Sequence, residues 1–193
     1  TAHYLVAMSF KYAVTGDPAA RREARDAFEA MIWLEAITPK RGFPARAVWS
    51  TTADPGQKAE GGSGGLPAKW WPTEDGLWEW KGDTSSDEVN AHFYSVCVFH
   101  DYVAEGAEKA RAAEHITRIM DHILENGWLL RDMDGEPTRW GRWDPDYLQR
   151  PYGMYARGLN GMEAQMYATA AWAVSGGEQK YADAFQQLLG WRY

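Results

Sequence analysis

One pattern occurs three times along the chain: an apolar helical segment, a short turn marked by glycine, and an amphipathic helical segment. This hydrophobic periodicity indicates helices over most of the sequence. A helical hairpin of this kind cannot bury its apolar face alone and must stack on its neighbours. We therefore predict a single all-α domain over residues 1–193, built from repeated αα-hairpins. The predicted apolar helices are 2–15, 86–104 and 160–174, and the predicted amphipathic helices are 18–36, 107–125 and 178–189.

The order of the helices indicates how the hairpins stack. In a closed ring of hairpins the apolar helices lie inside, and the long loops gather on the face where those inner helices begin. Three hairpins form an arc, and a closed barrel needs about twice as many. The chain lacks an initiator Met and stops just after a helix, at 189–193. We expect a fragment whose barrel is completed by the remainder of a longer parent chain.

Two connections stand out from the helical pattern. The longer one, from Thr38 to about Trp80, is rich in Gly, Pro and Trp and is predicted to be a loop. Within it, the tract at 61–65 is almost entirely glycine, which predicts a flexible linker or a lid. The other connection has Asp134-Gly135 between two segments typical of strands, which predicts a small β-hairpin.

Composition and charge argue against several classes of protein. The formal charge of −7 argues against a nucleic-acid partner, which would require a basic surface. No apolar run approaches the roughly 18 residues that span a bilayer, which argues against a membrane partner. The lone cysteine, Cys97, cannot form an intrachain disulfide. The histidines show no metal-ligand spacing, so we predict no metal. The sequence also has no phosphate loop, nucleophile elbow or dinucleotide fingerprint, so we predict no cofactor.

The junction between the long loop and the second apolar helix carries the densest group of reactive side chains. Asp83, Asp87 and Glu88 lie there, followed by Asn90 and His92. Acid–base catalysis by carboxyls needs one group held protonated and a second one ionised. We predict Asp83, Asp87 and Glu88 as the acid–base candidates, with His92 tuning or assisting them. Asn90 is predicted to contact the substrate.

Part of this group also has a structural interpretation. Ser85 followed by Glu88 fits a capping box, and carboxylates in a first turn interact favourably with the helix dipole. Capping would explain Ser85 and Glu88 but neither Asp83 nor His92. Because Glu88 and His92 are four residues apart, we expect them to share a helix face, on which the carboxylate would raise the basicity of the imidazole.

Tryptophans and arginines in the predicted loops form a second group of candidates. The chain has 11 tryptophans, and several of them lie outside the predicted helices. Aromatic faces stack on sugar rings, and arginines bind carboxylate or sulfate groups. The alternative is a packed hairpin in which Arg139 or Arg142 pairs with Asp144. The predicted substrate-binding residues here are Trp71, Trp80, Arg139, Trp140, Arg142 and Trp143.

Asn160 opens the third apolar helix. It fits an N-cap with Glu163 three residues later, and capping is the simplest interpretation of both. The position of Asn160 in the repeat matches that of Ser85, so both helix starts are expected to face one cleft. We therefore add Asn160 to the substrate-binding candidates.

The chain resembles a group of largely uncharacterised bacterial proteins in three motifs: KGDTSSDE at 81–88, TRWGRW at 138–143 and RGLN at 157–160. That group is similar to the six-hairpin glycosidase superfamily, and the resemblance extends over nearly the whole chain. It implies about half of an (α/α)6 toroid, with long loops and a carbohydrate cleft at the mouth of the barrel. It also implies Asp or Glu as acid and base. Polysaccharide lyases share a related toroid and use Asn, His, Tyr and Arg instead.

The leading prediction is a carbohydrate-active domain that hydrolyses glycosidic bonds in a polysaccharide or oligosaccharide. The first alternative is a polysaccharide lyase acting on uronate-containing glycans, with Arg142 neutralising the carboxylate and His92 or a tyrosine as base. The second alternative is a non-catalytic glycan-binding or scaffold domain, in which the acidic residues only cap helices. Because polysaccharides are met outside the cytoplasm, we expect an extracellular or periplasmic location.

Overall fold

The computed structural model describes residues 1–54, 58 and 67–193. The glycine tract at 61–65, predicted to be a linker or a lid, lies outside the described residues. Helices dominate the described part, so the chain is mostly α-helical with small sheets, as predicted. None of these helices combines the length and the apolar character needed to cross a membrane. The α-helices are α1 (Ala2–Thr15), α2 (Pro18–Ala36), α3 (Ser86–Tyr102), α4 (Ala107–Glu125), α5 (Pro145–Leu148), α6 (Arg157–Val174) and α7 (Gln179–Gly190).

The six long helices match the predicted ones, with ends that differ by at most a few residues. The turn between α1 and α2 shows why the boundary was recognisable. Gly16 adopts a left-handed conformation at the end of α1, with φ of 67°. Asp17 then caps α2, because its side chain accepts a hydrogen bond from Ala19 N, and Pro18 takes the first helical position.

The connection between α2 and α3 contains a three-stranded antiparallel sheet, so the predicted continuous loop is wrong. The strands are β1 (Ala47–Ser50), β2 (Trp70–Pro72) and β3 (Trp78–Lys81), in the order β1-β3-β2. Strands of three or four residues are too short for alternation to be recognised in the sequence. The pairing of Trp71 with Trp80 across β2 and β3 adds aromatic contact to the sheet.

The second sheet is the predicted hairpin. β4 (Leu129–Arg131) pairs antiparallel with β5 (Pro137–Arg142), and Gly135 has a positive φ of 80° in the turn. The side chain of Lys40 donates a hydrogen bond to Asp132 O at 2.6 Å, which ties this hairpin to the segment after α2. The prediction of a hairpin at Asp134-Gly135 is therefore confirmed.

The three helical hairpins stack in two layers. α1, α3 and α6 lie side by side, and α2, α4 and α7 each pack on the apolar helix that precedes them. Aromatic stacking joins the layers and the repeats at α3: Phe93 stacks on Tyr167 and Phe99 on Phe28, each pair with centroids 4.3 Å apart. Arg111 of α4 adds a bidentate ion pair with Glu29 of α2.

Two imidazoles are buried where α3 packs on α4. His92 Nδ1 and His115 Nε2 are 2.9 Å apart, and the side chains are 2% and 0% exposed. Burial lowers the pKa of His92 to about 4. Burial, followed by the neighbouring His92 and Arg118, lowers the pKa of His115 well below its ordinary value. The expected rise in the basicity of His92 through Glu88 is therefore wrong, because the ring is buried where α3 packs on α4.

We expect mild acid to destabilise the fold through these two rings. Below the ordinary pKa of 6.5 the unfolded chain takes up protons that the folded chain does not, until the pH approaches about 4 for His92. The free energy of unfolding should then fall by about 1.4 kcal/mol per pH unit for each such histidine. Urea unfolding between about pH 7 and about pH 5 measures this slope.

The matched variants are His115→Gln and His3→Gln, since His3 is exposed on α1. His115→Gln should make the dependence of the unfolding free energy on pH shallower by about 1.4 kcal/mol per pH unit, the contribution of one proton. His3→Gln should leave this dependence unchanged. A slope that His115→Gln leaves as steep as in the wild type would contradict the burial of this pair.

Candidate functional site

The first turns of α3 and α6 line one cleft of about 480 Å³, as the matched positions of Ser85 and Asn160 predicted. Further walls come from β5, from α5 and from the segment just before β1. We call this the carboxylate cleft. Its lining includes Arg46, Ser86, Asp87, Trp140, Tyr147 and Asn160.

Both carboxylate oxygens of Glu88 are bound by neighbouring groups at the start of α3. Its Oε2 accepts a hydrogen bond from Ser85 N at 2.8 Å, and the Ser85 side chain completes the capping box. Its Oε1 forms an ion pair with Arg46 Nε at 3.3 Å. The predicted capping role of Ser85 and Glu88 is therefore confirmed, and both carboxylate oxygens of Glu88 have structural partners.

Asp87, the residue before Glu88, has a different environment from that of Glu88. It is exposed, it lines the carboxylate cleft, and its carboxylate contacts the Ser85 hydroxyl. Of the three predicted carboxylates, Asp87 is the one that the fold leaves open to this cleft.

Glu163, which sequence reasoning treated only as a helix-capping residue, is buried near Ser86 and Asp87, two residues that line this cleft. It is 6% exposed and accepts a hydrogen bond from Trp143 Nε1 at 3.4 Å. Burial raises the pKa of Glu163 against the hydrogen bonds from Trp143 and Ser86, and the Asp87 carboxylate raises this pKa further. The sequence did contain a signal, because Glu163 is the single acidic residue in an otherwise apolar helix.

Asn160 is not the cap of α6, so that prediction is wrong. The helix begins three residues earlier, at Arg157, which places Asn160 in its first turn. The side chain is 5% exposed, and Nδ2 donates a hydrogen bond to Arg142 O at 3.0 Å. Asn160 thus fastens the start of α6 to the end of β5 while it lines the carboxylate cleft.

Asp83 ties the loop before α3 to the hairpin. Its backbone is left-handed, with φ of 51°, and its Oδ1 accepts a hydrogen bond from Arg139 N at 2.9 Å. The fully buried Asp132 holds this conformation, because its Oδ2 accepts from Asp83 N and its Oδ1 from Met133 N, each at 2.7 Å. The sequence analysis did not identify this role of Asp132.

Asp83 also lines a second cleft, of about 510 Å³, between the hairpin and the segment before β2. We call it the basic cleft, because Lys69, Arg139 and Arg142 line it. Arg142 reaches towards the carboxylate cleft as well, since its guanidinium lies 4.7 Å from the centroid of the Tyr147 ring. The predicted alternative pairing is also present: Arg142 Nε lies 3.4 Å from Asp144 Oδ2.

The remaining predicted site residues lie away from both clefts. Trp80 and Trp143 are 1% and 0% exposed, so their predicted stacking on a sugar is wrong: both rings are core side chains. Trp71 is half-buried against Trp80 in the first sheet. His92 is buried against α4, and Asn90 is half-buried one turn beyond Asp87; neither lines either cleft in the described part of the chain.

We expect Gly82→Ala to destabilise the protein by about 1–3 kcal/mol, the usual cost of overpacking. A Cβ at this position would lie 2.4 Å from Asp132 Oδ2 and 2.8 Å from Oδ1, both of which already accept backbone hydrogen bonds. The matched control is Gly158→Ala in α6, where an added Cβ meets nothing within 4 Å. Chemical denaturation should show Gly158→Ala unchanged or slightly more stable. Equal losses in both variants would contradict the role of Asp132.

Within the described ranges, no group of three or more His, Cys, Asp or Glu side chains is arranged to hold a metal ion. The two clefts present carboxyl, hydroxyl, guanidinium and ammonium groups and aromatic rings. Comparison of the chain with protein-family models, with curated proteins and with solved structures found no significant match.

Proposed function

We propose that the chain hydrolyses glycosidic bonds in a polysaccharide or oligosaccharide, with Asp87 and Glu163 as the pair of carboxyls. One observation carries this proposal: the carboxyl of Asp87 lines the cleft, and the buried carboxyl of Glu163 lies close enough for the Asp87 charge to raise its pKa. Asp87 is exposed, whereas burial and the Asp87 charge raise the pKa of Glu163. Environments that separate two carboxyls in this way allow one to serve as acid and the other as base or nucleophile.

The acid step would run through Ser86. Its hydroxyl lies close enough to Glu163 to lower the pKa of that carboxyl, and Ser86 also lines the carboxylate cleft. The Ser86 hydroxyl can give its proton to the leaving-group oxygen of the glycosidic bond while it takes one from Glu163. The Asp87 carboxylate would then take a proton from the attacking water, or attack the sugar carbon itself.

Aromatic side chains in the carboxylate cleft suit a sugar ring. Trp140, a predicted sugar contact, lines it together with Tyr147 and Tyr155. The two tyrosine hydroxyls are 3.2 Å apart, which fixes their rings relative to each other. Flat apolar faces with polar groups at their edges are the usual means of binding carbohydrate.

We extend the proposal to the fold and the location. Three hairpins in two layers, with α1, α3 and α6 side by side, support an arc of about half an (α/α)6 toroid like that of the six-hairpin glycosidases. The carboxylate cleft lies where α3 and α6 begin, the end at which such a barrel carries its loops. A polysaccharide substrate favours an extracellular or periplasmic location.

The lyase alternative has less support. A lyase needs a base that takes the proton beside a uronate carboxylate, and His92 is buried between helices. Tyr147 lies beside Arg142. Burial, followed by its contact with Tyr155, raises the pKa of Tyr147 to about 12, so its hydroxyl stays protonated near neutral pH and cannot accept the substrate proton. A purely structural role accounts for Ser85 and Glu88, but it does not account for a buried carboxyl at Glu163.

Product mass spectrometry after incubation with a panel of neutral and acidic polysaccharides tests the proposal. Hydrolysis adds one water per cleavage, whereas a lyase gives unsaturated products with no added water. Unsaturated products would replace hydrolysis by the lyase reaction, with Arg142 neutralising the uronate carboxylate and a tyrosine as the base. If no polysaccharide is cleaved but one is bound, the glycan-binding alternative replaces hydrolysis.

We expect Asp87→Asn and Glu163→Gln each to lower kcat by about 10² to 10⁴, the usual contribution of a positioned acid or base. The matched control is Asp146→Asn, since the Asp146 side chain is 87% exposed on α5. It should keep wild-type kcat. Initial rates on the cleaved substrate measure all three variants. An active Asp87→Asn variant would remove Asp87 from the mechanism.

The pH profile separates the two roles. Because the proposed acid must be protonated, activity should fall as the pH rises through the raised pKa of Glu163, which lies above the ordinary carboxyl value of 4.5. In the Glu163→Gln variant, the residual kcat/KM should no longer fall as the pH rises through this range. If kcat/KM of this variant still falls as the pH rises, another group is the general acid.

A further inference from the structure

We propose that the basic cleft binds an anionic group of the glycan, a carboxylate or a sulfate, beside the sugar held in the carboxylate cleft. This substrate class rests on the proposed function and narrows it to acidic glycans. The inference begins from charge: three cations, Lys69, Arg139 and Arg142, line one depression in a chain whose formal charge is −7.

Carboxylates also lie at the basic cleft. Two of them line it, Asp83 and Glu136. Asp83 Oδ1 accepts the backbone N–H of Arg139, so part of its charge is directed at the main chain. Glu136 is exposed to solvent at the turn of the hairpin. Among the described residues the lining has three cations and two carboxylates, and Asp134 and Asp144 pair with Lys69 and Arg142. A ligand anion therefore binds here by exchanging places with these carboxylates.

Arg142 is held in an orientation suited to an anion. Its guanidinium lies against the Tyr147 ring, and its Nε and Nη2 each lie 3.4 Å from Asp144 Oδ2. That carboxylate also caps α5, since Asp144 Oδ1 accepts from Tyr147 N at 3.0 Å. A guanidinium has five N–H donors, and the Asp144 contact uses two of them. A stacked, oriented guanidinium suits bidentate recognition of a carboxylate or a sulfate.

Lys69 supplies a cation that can exchange partners. Its Nζ lies 2.7 Å from Asp134 Oδ2, and the two side chains are 37% and 34% exposed. Partly exposed ion pairs of this kind contribute little to stability, so a ligand anion can compete for the lysine at small cost.

The two clefts adjoin along β5. Trp140 lines the carboxylate cleft, and Arg142, two residues further along the strand, lines the basic cleft while stacking on Tyr147. Asn160 reinforces this boundary through its hydrogen bond to Arg142 O. Volumes of about 480 and 510 Å³ are in the range of small-molecule sites. A glycan across both clefts would place neighbouring sugars in the two.

Calorimetric binding to the Asp87→Asn protein, which prevents turnover, tests the inference. The probes are oligogalacturonate, oligoalginate and hyaluronan hexasaccharides, each paired with its carboxyl-reduced neutral counterpart, and a sulfated form of each neutral one. At least one acidic probe should bind tenfold or more tightly than its neutral counterpart, and the difference should shrink as salt is added. The carboxylated and sulfated probes show which anion is preferred.

The cleft variants are Arg139→Gln and Lys69→Gln, each made in the Asp87→Asn protein. Both should weaken binding of the acidic probe about tenfold and leave binding of its neutral counterpart unchanged. The matched controls are Arg22→Gln and Lys109→Gln, which alter exposed residues of α2 and α4. Each control should bind the acidic probe like the parent protein.

The outcomes separate this inference from the proposed function. No preference for any acidic probe, or equal losses in the cleft and control variants, overturns the inference even if neutral glycans are hydrolysed. Tight binding of an acidic probe that the wild-type protein never cleaves supports the basic cleft and overturns hydrolysis instead.

Discussion

Burial of the apolar surface of α3 is the constraint on which the rest of the structure depends. This helix packs against α1, α4 and α6, and its aromatic side chains stack on residues of α2 and α6. Each stacked aromatic side chain removes a large apolar area from water, which is the main favourable contribution to folding. Because α3 is fixed on several sides, its first turn has a defined position, and that turn carries Asp87.

A second constraint acts on the loop that enters α3. The buried carboxylate of Asp132 binds two backbone N–H groups, and one of them belongs to Asp83, in a left-handed conformation. Leaving such donors buried without partners costs about 1–3 kcal/mol each, so the carboxylate effectively determines the path of the loop. The carboxylate and basic clefts thus depend on a residue that lines neither of them.

The helices could be predicted from the sequence because they are long and periodic, and because Gly16, Asp17 and Pro18 mark a boundary by well-understood local chemistry. The capping box at Ser85 and the shared cleft of α3 and α6 followed from the same repeat. The first sheet could not be predicted, since its strands of three or four residues carry no readable period.

Site residues were harder to identify, because their roles depend on long-range burial. Trp140 and Trp143 are three residues apart in one motif, yet one lines a cleft and the other lies in the core. Similarly, adjacent acids in one turn have separate roles: Glu88 caps the helix and Asp87 faces solvent. Burial raises the pKa of Glu163 and the Asp87 charge raises it further, and this environment is built by segments that are distant in the sequence.

The division of the carboxylate cleft among distant segments has a consequence for how the protein acquires its site. Arg46, Asp87, Trp140 and Asn160 come from four parts of the chain, and the hydrogen bond between Asn160 and Arg142 joins two of them. No single hairpin contains a working fraction of the cleft. Bringing residues so far apart in sequence together costs loop-closure entropy, which the packing of the repeats must offset. The cleft is therefore present only when the second and third repeats are packed together, and a ligand that binds across it favours that packed state.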